Sequence, residues 1–450
     1  MSCAIDTLSI VLLDIVHLLS ELNDVVAFVS ALPNVPPALH ALLLLSQSME
    51  LEHHWPCLYL ERFPVQIIDL GIAALPAFPY VYVGPATDLR WQAAALPRSV
   101  RVRLPISPAL ARVWGDRVRH VSVEKDATFS AQVHKLLDSC RYIESVDVRL
   151  SDPVSAALWI SAFTRPAFPL RSLSFEMTRY TPGSVDDCMP LARALLASPS
   201  LKTLILNGAD DVHAALAALD GDLHCVRTFH STRTAPEAKV QTLLDKLDPA
   251  RVVNLRVSHC VDVSRFCALR YLGAWDDKLD PRHLAGGRCP DLRCAVISDI
   301  PATDMPSVVA WLSTSRVLTK VETWTKTVDE RGIESISRAL PEWLARGLEE
   351  LSLSFAPLSK QGLLLVADAL TTKRDDRKRL RVSLAIAKRA LDLEETRALF
   401  TAVGSSPDVT LTVKNVMSYP QAVFPELAVQ ARIEADRWGQ RLVVEFKALS

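Results

Sequence analysis

The sequence LEELSLSFAPLSKQGLLLVADAL, residues 348–370, decides the fold because its leucines fall at regular intervals. Residues 318–340, LTKVETWTKTVDERGIESISRAL, have nearly the same skeleton, with the same alternation, the same glycine and the same closing Ala-Leu. A skeleton that recurs along a chain indicates a repeated structural unit. The two stretches therefore predict two successive copies of one unit.

Each copy has an alternating part followed by a part with helical spacing. In the alternating part, Leu351 and Leu353 point to one side of a strand, and the residues between them point to the other. In the second part, Leu363, Val366 and Leu370 are three or four residues apart, which places them on one face of a helix. One strand and one helix per copy predict an α/β fold with parallel strands and a shared core.

The alternating pattern recurs along most of the chain, with successive copies mostly about 22 to 32 residues apart. The clear copies lie at 118–123, 143–148, 170–175, 201–206, 252–257, 269–274, 318–323 and 348–353. Weaker copies lie at 223–228, 292–297, 381–386 and 410–413, and further strands are predicted at 57–60, 80–84 and 99–106. Helices are predicted at 186–198, 211–219, 237–247, 304–314, 329–347 and 359–370.

Composition excludes several classes of function. The charges nearly cancel, with 50 Lys and Arg against 51 Asp and Glu, so no electrostatic argument for nucleic acid or an anionic membrane arises. The apolar stretch 8–29 carries Asp14, Glu21 and Asp24, which argue against a membrane span, and no basic segment precedes it as in a signal peptide. Nine scattered cysteines without a C-x-x-C pair indicate reduced thiols and an intracellular protein, cytoplasmic or nuclear.

Motifs of known catalytic sites are absent from the sequence. It has no G-x-S-x-G, P-loop, H-E-x-x-H or dinucleotide-binding glycine cluster, so the chain is not expected to be an enzyme or to bind a cofactor. The nearest approach to a metal site is a set of scattered His and Cys residues that lack the paired short spacings of zinc ligands. These residues are His53, His54, Cys57, His283, Cys289 and Cys294.

The repeated stretch resembles the leucine-rich repeat of the ribonuclease-inhibitor type, L-x-x-L-x-L-x-x-x-x-L-x-x-x-G-x-x-x-L-x-x-A-L. The residues close to the pattern are Leu348, Leu351, Leu353, Leu358, Gly362, Val366 and Leu370, and their counterparts are Leu318, Val321, Thr323, Val328, Gly332, Ile336 and Leu340. A third copy has Glu395 in place of the glycine. The resemblance implies a curved solenoid with strands inside and helices outside, over residues 51–450 and clearest at 118–415.

Residues 1–50 resemble an F-box, whose usual form is L-P-x-x-[VL]-L-x-x-I-x-x-x-L followed by a D-[LV] pair. The matching residues are Val11, Leu12, Ile15, Leu19, Asp24 and Val25, and Ser9 stands where the form has proline. An F-box implies docking on a Skp-type adaptor of a cullin–RING ubiquitin ligase. The residues expected to bind the adaptor are Leu8, Val11, Leu12, Ile15, Leu19 and Val25.

The two resemblances together predict a non-catalytic subunit that presents a protein substrate to an SCF-type ubiquitin ligase. The alternative is a leucine-rich-repeat scaffold or inhibitor without a ubiquitin role, whose N-terminal helices only cap the open end of the solenoid. In either case, the residues between the buried leucines form the binding face. The expected substrate-binding residues are Arg149, Glu176, Arg256, Tyr271, Trp275, Lys320, Glu322 and Trp324.

Two of these residues carry a further alternative. Trp275 and Trp324 each follow directly after the last buried position of a strand. An exposed tryptophan beside Arg and Glu is typical of the centre of a protein interface. The other interpretation is that each indole packs against a neighbouring copy.

Overall fold

The fold is given by a computed structural model of all 450 residues. It describes residues 2–51, 55–84, 86–93, 99–104, 115–123, 140, 142–150, 170–177, 185–232, 237–258, 262–274, 287–298, 300, 302–325, 330–355, 359–371, 380–387, 393–405, 409–416 and 442–447. The chain divides into two compact units, Met1–Asp220 and Gly221–Ser450. The predicted F-box-like segment, residues 1–50, lies within the first unit.

The first unit contains a parallel β-sheet whose strands follow one another in sequence order. Its strands are β1 (Cys57–Tyr59), β2 (Tyr80–Val83), β3 (Ser99–Leu104), β4 (Val118–Val123), β5 (Ser145–Leu150), β6 (Ser172–Met177) and β7 (Thr203–Asn207). The predicted strands at 57–60, 80–84 and 99–106 are confirmed, together with the four clear copies in this unit.

Helices of the first unit precede the sheet and connect its strands. Those described are α1 (Ser2–Val16), α2 (Leu22–Ser30), α3 (Pro37–Ser48), α4 (Ile68–Ala74), α5 (Val185–Leu196) and α6 (Asp210–Ala218). Proline at the first position of α3 suits a helix start, because its missing N–H would have no partner inside the helix. Helices α2, α3 and α5 bury apolar residues, as Val25, Leu42 and Leu191 illustrate.

Helix α4 approaches two aromatic side chains closely in the segments between the first strands. Phe63 and Trp91 are buried with their rings edge to face, 5.2 Å between centroids. Gly71 of α4 lies against both, since a Cβ there would come within 2.6 Å of each ring. Only glycine leaves room for this contact.

The second unit contains a parallel sheet of the same kind, again in sequence order. Its strands are β8 (Thr228–Thr232), β9 (Asn254–Val257), β10 (Tyr271–Ala274), β11 (Cys294–Ser298), β12 (Lys320–Thr325), β13 (Glu350–Phe355), β14 (Leu380–Ala387), β15 (Val409–Val416) and β16 (Leu442–Lys447). The described helices are α7 (Glu237–Asp245), α8 (Met305–Leu312), α9 (Glu330–Ala345), α10 (Lys360–Leu370) and α11 (Leu393–Ser405).

Register in the second unit places equivalent residues of the sequence pattern side by side. Val321 pairs with Leu351, and Thr323 pairs with Leu353, so the alternating residues form continuous buried rows. The helices return their own apolar residues to this core, among them Ile336 and Val366. The predicted α/β class and parallel sheet are therefore confirmed.

Two strand assignments differ from the prediction. The weak copy at 223–228 is wrong in register, because the strand runs from Thr228 to Thr232 and buries Phe229 and Ser231. Leu223 lies earlier, in an isolated bridge to Leu247. Strand β16 was not predicted. None of the described helices has both the length and the apolar composition needed to cross a membrane.

Candidate functional site

The strand face of the second unit is formed by the residues that alternate with the buried ones. Successive side chains of a strand point to opposite sides of the sheet, so this face is opposite the helices. Strand pairing aligns it into two rows. The first row contains Thr228, Asn254, Tyr271, Cys294, Lys320, Glu350 and Arg381, and the second contains His230, Arg256, Gly273, Val296, Glu322, Ser352 and Ser383.

Charged side chains on three neighbouring strands of this face are linked. Lys320 Nζ donates to Glu350 Oε1 at 2.7 Å and lies 3.4 Å from Glu322 Oε2. The other oxygen of Glu350 lies 3.6 Å from the guanidinium of Arg381. Because the three strands pair in fixed register, the backbone holds these charges as an alternating set.

The protonation states on this face follow from these contacts and from burial. The hydrogen bond to Glu350 raises the pKa of Lys320, so its ammonium group is charged at neutral pH. Burial raises the pKa of Cys294 and also that of Tyr271. A neutral thiol is a weak nucleophile, so Cys294 is suited to packing and weak hydrogen bonding and not to covalent chemistry.

Arg256 and Tyr271 form a second contact pair, on the neighbouring strands β9 and β10. The Arg256 guanidinium carbon lies 4.6 Å from the centre of the Tyr271 ring, which is within cation–π range. On β8, His230 Nε2 lies 3.4 Å from Asn254 Oδ1. Burial, and next the charge of Arg256, lower the pKa of His230 to about 4, so the imidazole is neutral at pH 7.

The first unit has a comparable strand face. His120 Nδ1 and Ser145 Oγ share a hydrogen bond of 2.9 Å. Arg149 is exposed and lies 3.5 Å from Asp147 on its own strand and 3.7 Å from Glu176 on the next. These groups, like those of the second unit, are hydrogen-bond donors and acceptors fixed on a rigid sheet. Such an arrangement is suited to recognising the side chains and backbone of another protein.

The predicted strand-face residues fall into two groups. Arg149, Glu176, Arg256, Tyr271, Lys320 and Glu322 lie on strands with their side chains described above. Trp324 belongs to β12 and pairs with Ser298, while its side chain lies outside the described residues. Trp275 also lies outside them, so both interpretations of the two tryptophans stay predictions.

Of the scattered His and Cys residues, His53, His54 and His283 lie outside the described residues. Cys289 is buried and its Sγ donates to the carbonyl of Phe266 at 3.4 Å. Burial raises the pKa of Cys289 to about 12. Across the part of the chain that the structure describes, no three His, Cys, Asp or Glu residues are grouped to hold a metal ion.

Sequence reasoning missed three residues of the second strand face. His230 was missed because the weak copy at 223–228 was aligned three residues too early. Asn254 and Arg381 occupy the first row, and each stands directly before a buried strand residue. The signal that locates all three is the alternation itself, once the strand start is placed correctly.

An exposed apolar stripe runs along α1 and its C-terminal end. Leu8, Val11, Ile15 and Leu18 are exposed by 57, 48, 37 and 84% respectively. They are three, four and three residues apart, which places them on one side of the helical turns. An aliphatic surface of this kind on an amphipathic segment is typical of a protein interaction site.

Three residues expected to bind an adaptor are placed differently. Leu12 and Val25 are buried, with 8 and 0% exposure, because packing inside the first unit covers both side chains, and their contacts with an adaptor stay predictions. Leu19 is half-buried, and its carbonyl accepts a 3.1 Å hydrogen bond from the indole of Trp55. Leu18, not predicted as a contact, is the most exposed apolar residue of the stripe.

Comparison with known proteins adds no further constraint. No protein-family model matches the chain, and no curated protein matches it.

Proposed function

We propose that the chain is a leucine-rich-repeat protein that presents a protein substrate to an SCF-type ubiquitin ligase. Its N-terminal helices dock on a Skp-type adaptor and its strand faces hold the substrate. The chain itself carries out no covalent chemistry in this proposal. The repeat interpretation is supported by the in-register pairing of Val321 with Leu351 and of Thr323 with Leu353.

The observation that carries the proposal is the stripe of Leu8, Val11, Ile15 and Leu18. A helix that served only to cover a core would bury its apolar residues and expose polar ones. Helix α1 buries Leu12 and Val16 on one side, and it also exposes the apolar stripe. Burying a full aliphatic side chain contributes roughly 1.5–3 kcal/mol, so burial of the stripe against a partner would contribute several kcal/mol to the binding free energy.

The strand faces support the second half of the proposal. They combine a cation–π pair, Arg256 with Tyr271, with ion pairs that include Lys320 and Glu350. Arginine and tyrosine are over-represented among the residues that dominate protein interfaces. Neutral thiol and imidazole groups on the same face add hydrogen-bonding capacity without a reactive nucleophile.

The test is binding of a purified Skp-type adaptor to the full chain by isothermal titration calorimetry. The double variant Val11→Asp, Ile15→Asp should weaken binding by about tenfold or more, because two charges would be buried at the interface. Ile10→Asp is the matched control, since Ile10 is exposed by 52% on α1 but lies off the stripe. The control should bind like the original chain. Absence of adaptor binding by the original chain rejects the ligase proposal.

The scaffold or inhibitor function is the second candidate, and a specific observation favours it. The N-terminal segment is tied to the connection between β1 and β2, as a cap would be. His17 Nε2 is 3.3 Å from the carbonyl of Pro76. The Trp55 indole donates to the carbonyl of Leu19, and its ring lies 5.7 Å from that of Phe78. In this case the double variant leaves every binding activity unchanged, and the calorimetric experiment distinguishes the two candidates.

A further inference from the structure

A row of residues directly before the strands differs between the two units in whether its arginines have a carboxylate partner. In the first unit, the backbone N–H of Glu144 donates to the carbonyl of Arg119 at 2.9 Å. The backbone N–H of Arg171 in turn donates to the backbone carbonyl of Glu144 at 2.7 Å. In the second unit, the backbone N–H of Val253 donates to the carbonyl of Arg227 at 2.9 Å. The backbone N–H of Arg270 donates to the carbonyl of Val253 at 2.8 Å. The two rows therefore have equivalent backbone positions.

In the first unit, a carboxylate of the row pairs with both arginines of the row. Glu144 lies between the two arginines, with one carboxylate oxygen 4.0 Å from Arg119 and the other 3.5 Å from Arg171. The Arg119 guanidinium also packs 4.7 Å from the ring of Tyr142. Both arginines of this row thus have partners within the protein. The row continues to the exposed Lys202, whose backbone N–H donates to the carbonyl of Arg171 at 2.8 Å.

The row of the second unit lacks that central carboxylate, because Val253 occupies the position of Glu144. The row continues to Arg293, whose backbone N–H donates to the carbonyl of Arg270 at 2.9 Å. The side chains of Arg227, Arg270 and Arg293 are exposed. Among the residues that the structure describes, none of the three guanidinium groups has a carboxylate partner.

From this arrangement we infer that Arg227, Arg270 and Arg293, here called the arginine row, bind an acidic segment of another protein. Adjacent strands are about 4.8 Å apart, so Arg270 and Arg293 are one strand apart and Arg227 lies about 10 Å from Arg270. Like charges at these distances repel one another, and an anionic ligand relieves the repulsion. Guanidinium groups match carboxylate and phosphate oxygens in charge and in hydrogen-bond geometry.

The observations favour a short protein segment over nucleic acid. Beyond Arg293, the same backbone hydrogen bonds lead through Thr319 to the acidic residue Glu349. A second acidic residue, Asp291, is exposed two residues before Arg293. These carboxylates would repel a continuous phosphate backbone, whereas they leave room for two or three anionic side chains. The net charge of −1 for the whole chain also provides no long-range attraction for nucleic acid.

The arginine row goes beyond the proposed ligase function, because its residues belong neither to the α1 stripe nor to the strand-face rows. Its binding therefore does not depend on an adaptor. The acidic segment can carry its negative charge in two ways, as Asp and Glu side chains or as phosphoserine. Both present anionic oxygens, and a phosphoserine carries about −1.5 to −2 charges.

The test measures binding of the full chain to three fluorescein-labelled hexapeptides by fluorescence anisotropy. One peptide consists of glutamate, one of alternating phosphoserine and glycine, and one of glutamine. The chain should bind at least one anionic peptide more tightly than the glutamine peptide, and the tighter anionic peptide identifies the source of charge. The double variant Arg270→Gln, Arg293→Gln should weaken that binding roughly fivefold, because exposed ion pairs contribute about 0.5 kcal/mol each. Raising the salt concentration should weaken it further.

A second variant tests the comparison between the units. Val253→Glu should place a carboxylate between Arg227 and Arg270, as Glu144 does in the first unit, and should weaken peptide binding while the thermal unfolding midpoint stays constant. Arg171→Gln is the control and should leave binding unchanged. Equal affinity for all three peptides, or no effect of the double glutamine variant, overturns the inference. Tighter binding of a 12-base-pair DNA duplex that depends on Arg270 and Arg293 also overturns it.

Discussion

Lys320 and Glu350 are paired neighbours on β12 and β13, and the Lys320 ammonium donates a 2.7 Å hydrogen bond to the Glu350 carboxylate. Each side chain is about two-thirds buried, with 31 and 32% exposure. The same carboxylate faces Arg381 on the following strand, and the same ammonium faces Glu322. The pair is therefore the centre of the charged part of the strand face.

The first prediction concerns the strength of this pair and its dependence on pH. A double-mutant cycle with Lys320→Met and Glu350→Gln should give a coupling free energy of about 1 kcal/mol at pH 7, measured by urea unfolding. The pKa of Lys320 in the folded state is raised above its ordinary value of 10.5. The coupling should therefore be constant from pH 7 to about pH 9 and disappear as the pH rises further, through that raised pKa.

Arg338 and Glu334 provide the matched control for this cycle. They form an i,i+4 ion pair on α9, and the Arg338 side chain is 75% exposed. Their coupling free energy should be smaller and should weaken strongly with salt. A coupling for Lys320 and Glu350 no larger than that of the control pair would contradict the prediction.

The second prediction concerns His230. Its pKa is lowered from 6.5 to about 4 in the folded state, mainly by burial. Between these values the unfolded chain binds a proton that the folded chain does not, so stability falls as the pH decreases from 6.5 toward 4. Since the ring is partly solvent-accessible, its contribution to the loss between pH 7 and 5 should be about 1 kcal/mol. Urea unfolding at pH 7, 6 and 5 measures it.

His230→Gln should make the stability less dependent on pH over this range, because glutamine does not titrate. His224→Gln is the control. The His224 side chain is 69% exposed and lies 3.4 Å from Asp222, on the surface of the same unit. A pH profile for His230→Gln that parallels the profile of the original chain would show that His230 does not titrate as described.

The sequence predicted those parts of the fold that repeat. Leu351 and Leu353 are fixed by the alternation of a half-buried strand, and Ile336 and Leu340 by helical spacing, so strands and helices were found with their faces. The weak copy at 223–228 failed because Leu223 and Val226 mimic the spacing while the buried strand residues are Phe229 and Ser231. Periodicity cannot choose between two registers when both place apolar residues at alternating positions.

The binding residues were predicted only in part, and for a physical reason. The repeat period constrains only the buried positions. Residues such as Glu350, Arg381 and Val253 lie at positions where the pattern allows any side chain. Their importance depends on neighbours from other strands, 17 to 31 residues away in the chain, and only register reveals these neighbours. Likewise, helical spacing alone does not distinguish the buried Leu12 from the exposed Val11.

The third prediction concerns the start of α10. Ser359 is its N-cap, and the Ser359 hydroxyl accepts a 3.0 Å hydrogen bond from the backbone N–H of Gly362. Ser359→Ala should reduce the free energy of unfolding by about 1 kcal/mol, measured in urea, whereas Ser359→Asp should retain the cap. Ser335→Ala is the control, because the Ser335 hydroxyl only donates back to Arg331 within α9. Equal effects at the two serines would contradict a capping role.

The fourth prediction concerns Thr323, which is buried between Ile297 and Leu353 at a position where the repeat pattern places leucine. Its hydroxyl has no hydrogen-bond partner among the described residues, although burial removes it from water. Thr323→Val replaces this hydroxyl with a methyl group of similar size, so it should raise the free energy of unfolding by about 1 kcal/mol. Thr319→Val is the control and should not stabilise, because the Thr319 hydroxyl donates to the carbonyl of Arg293 at 3.0 Å. Thermal and urea unfolding measure both variants, and a destabilised Thr323→Val would show that the hydroxyl has a partner.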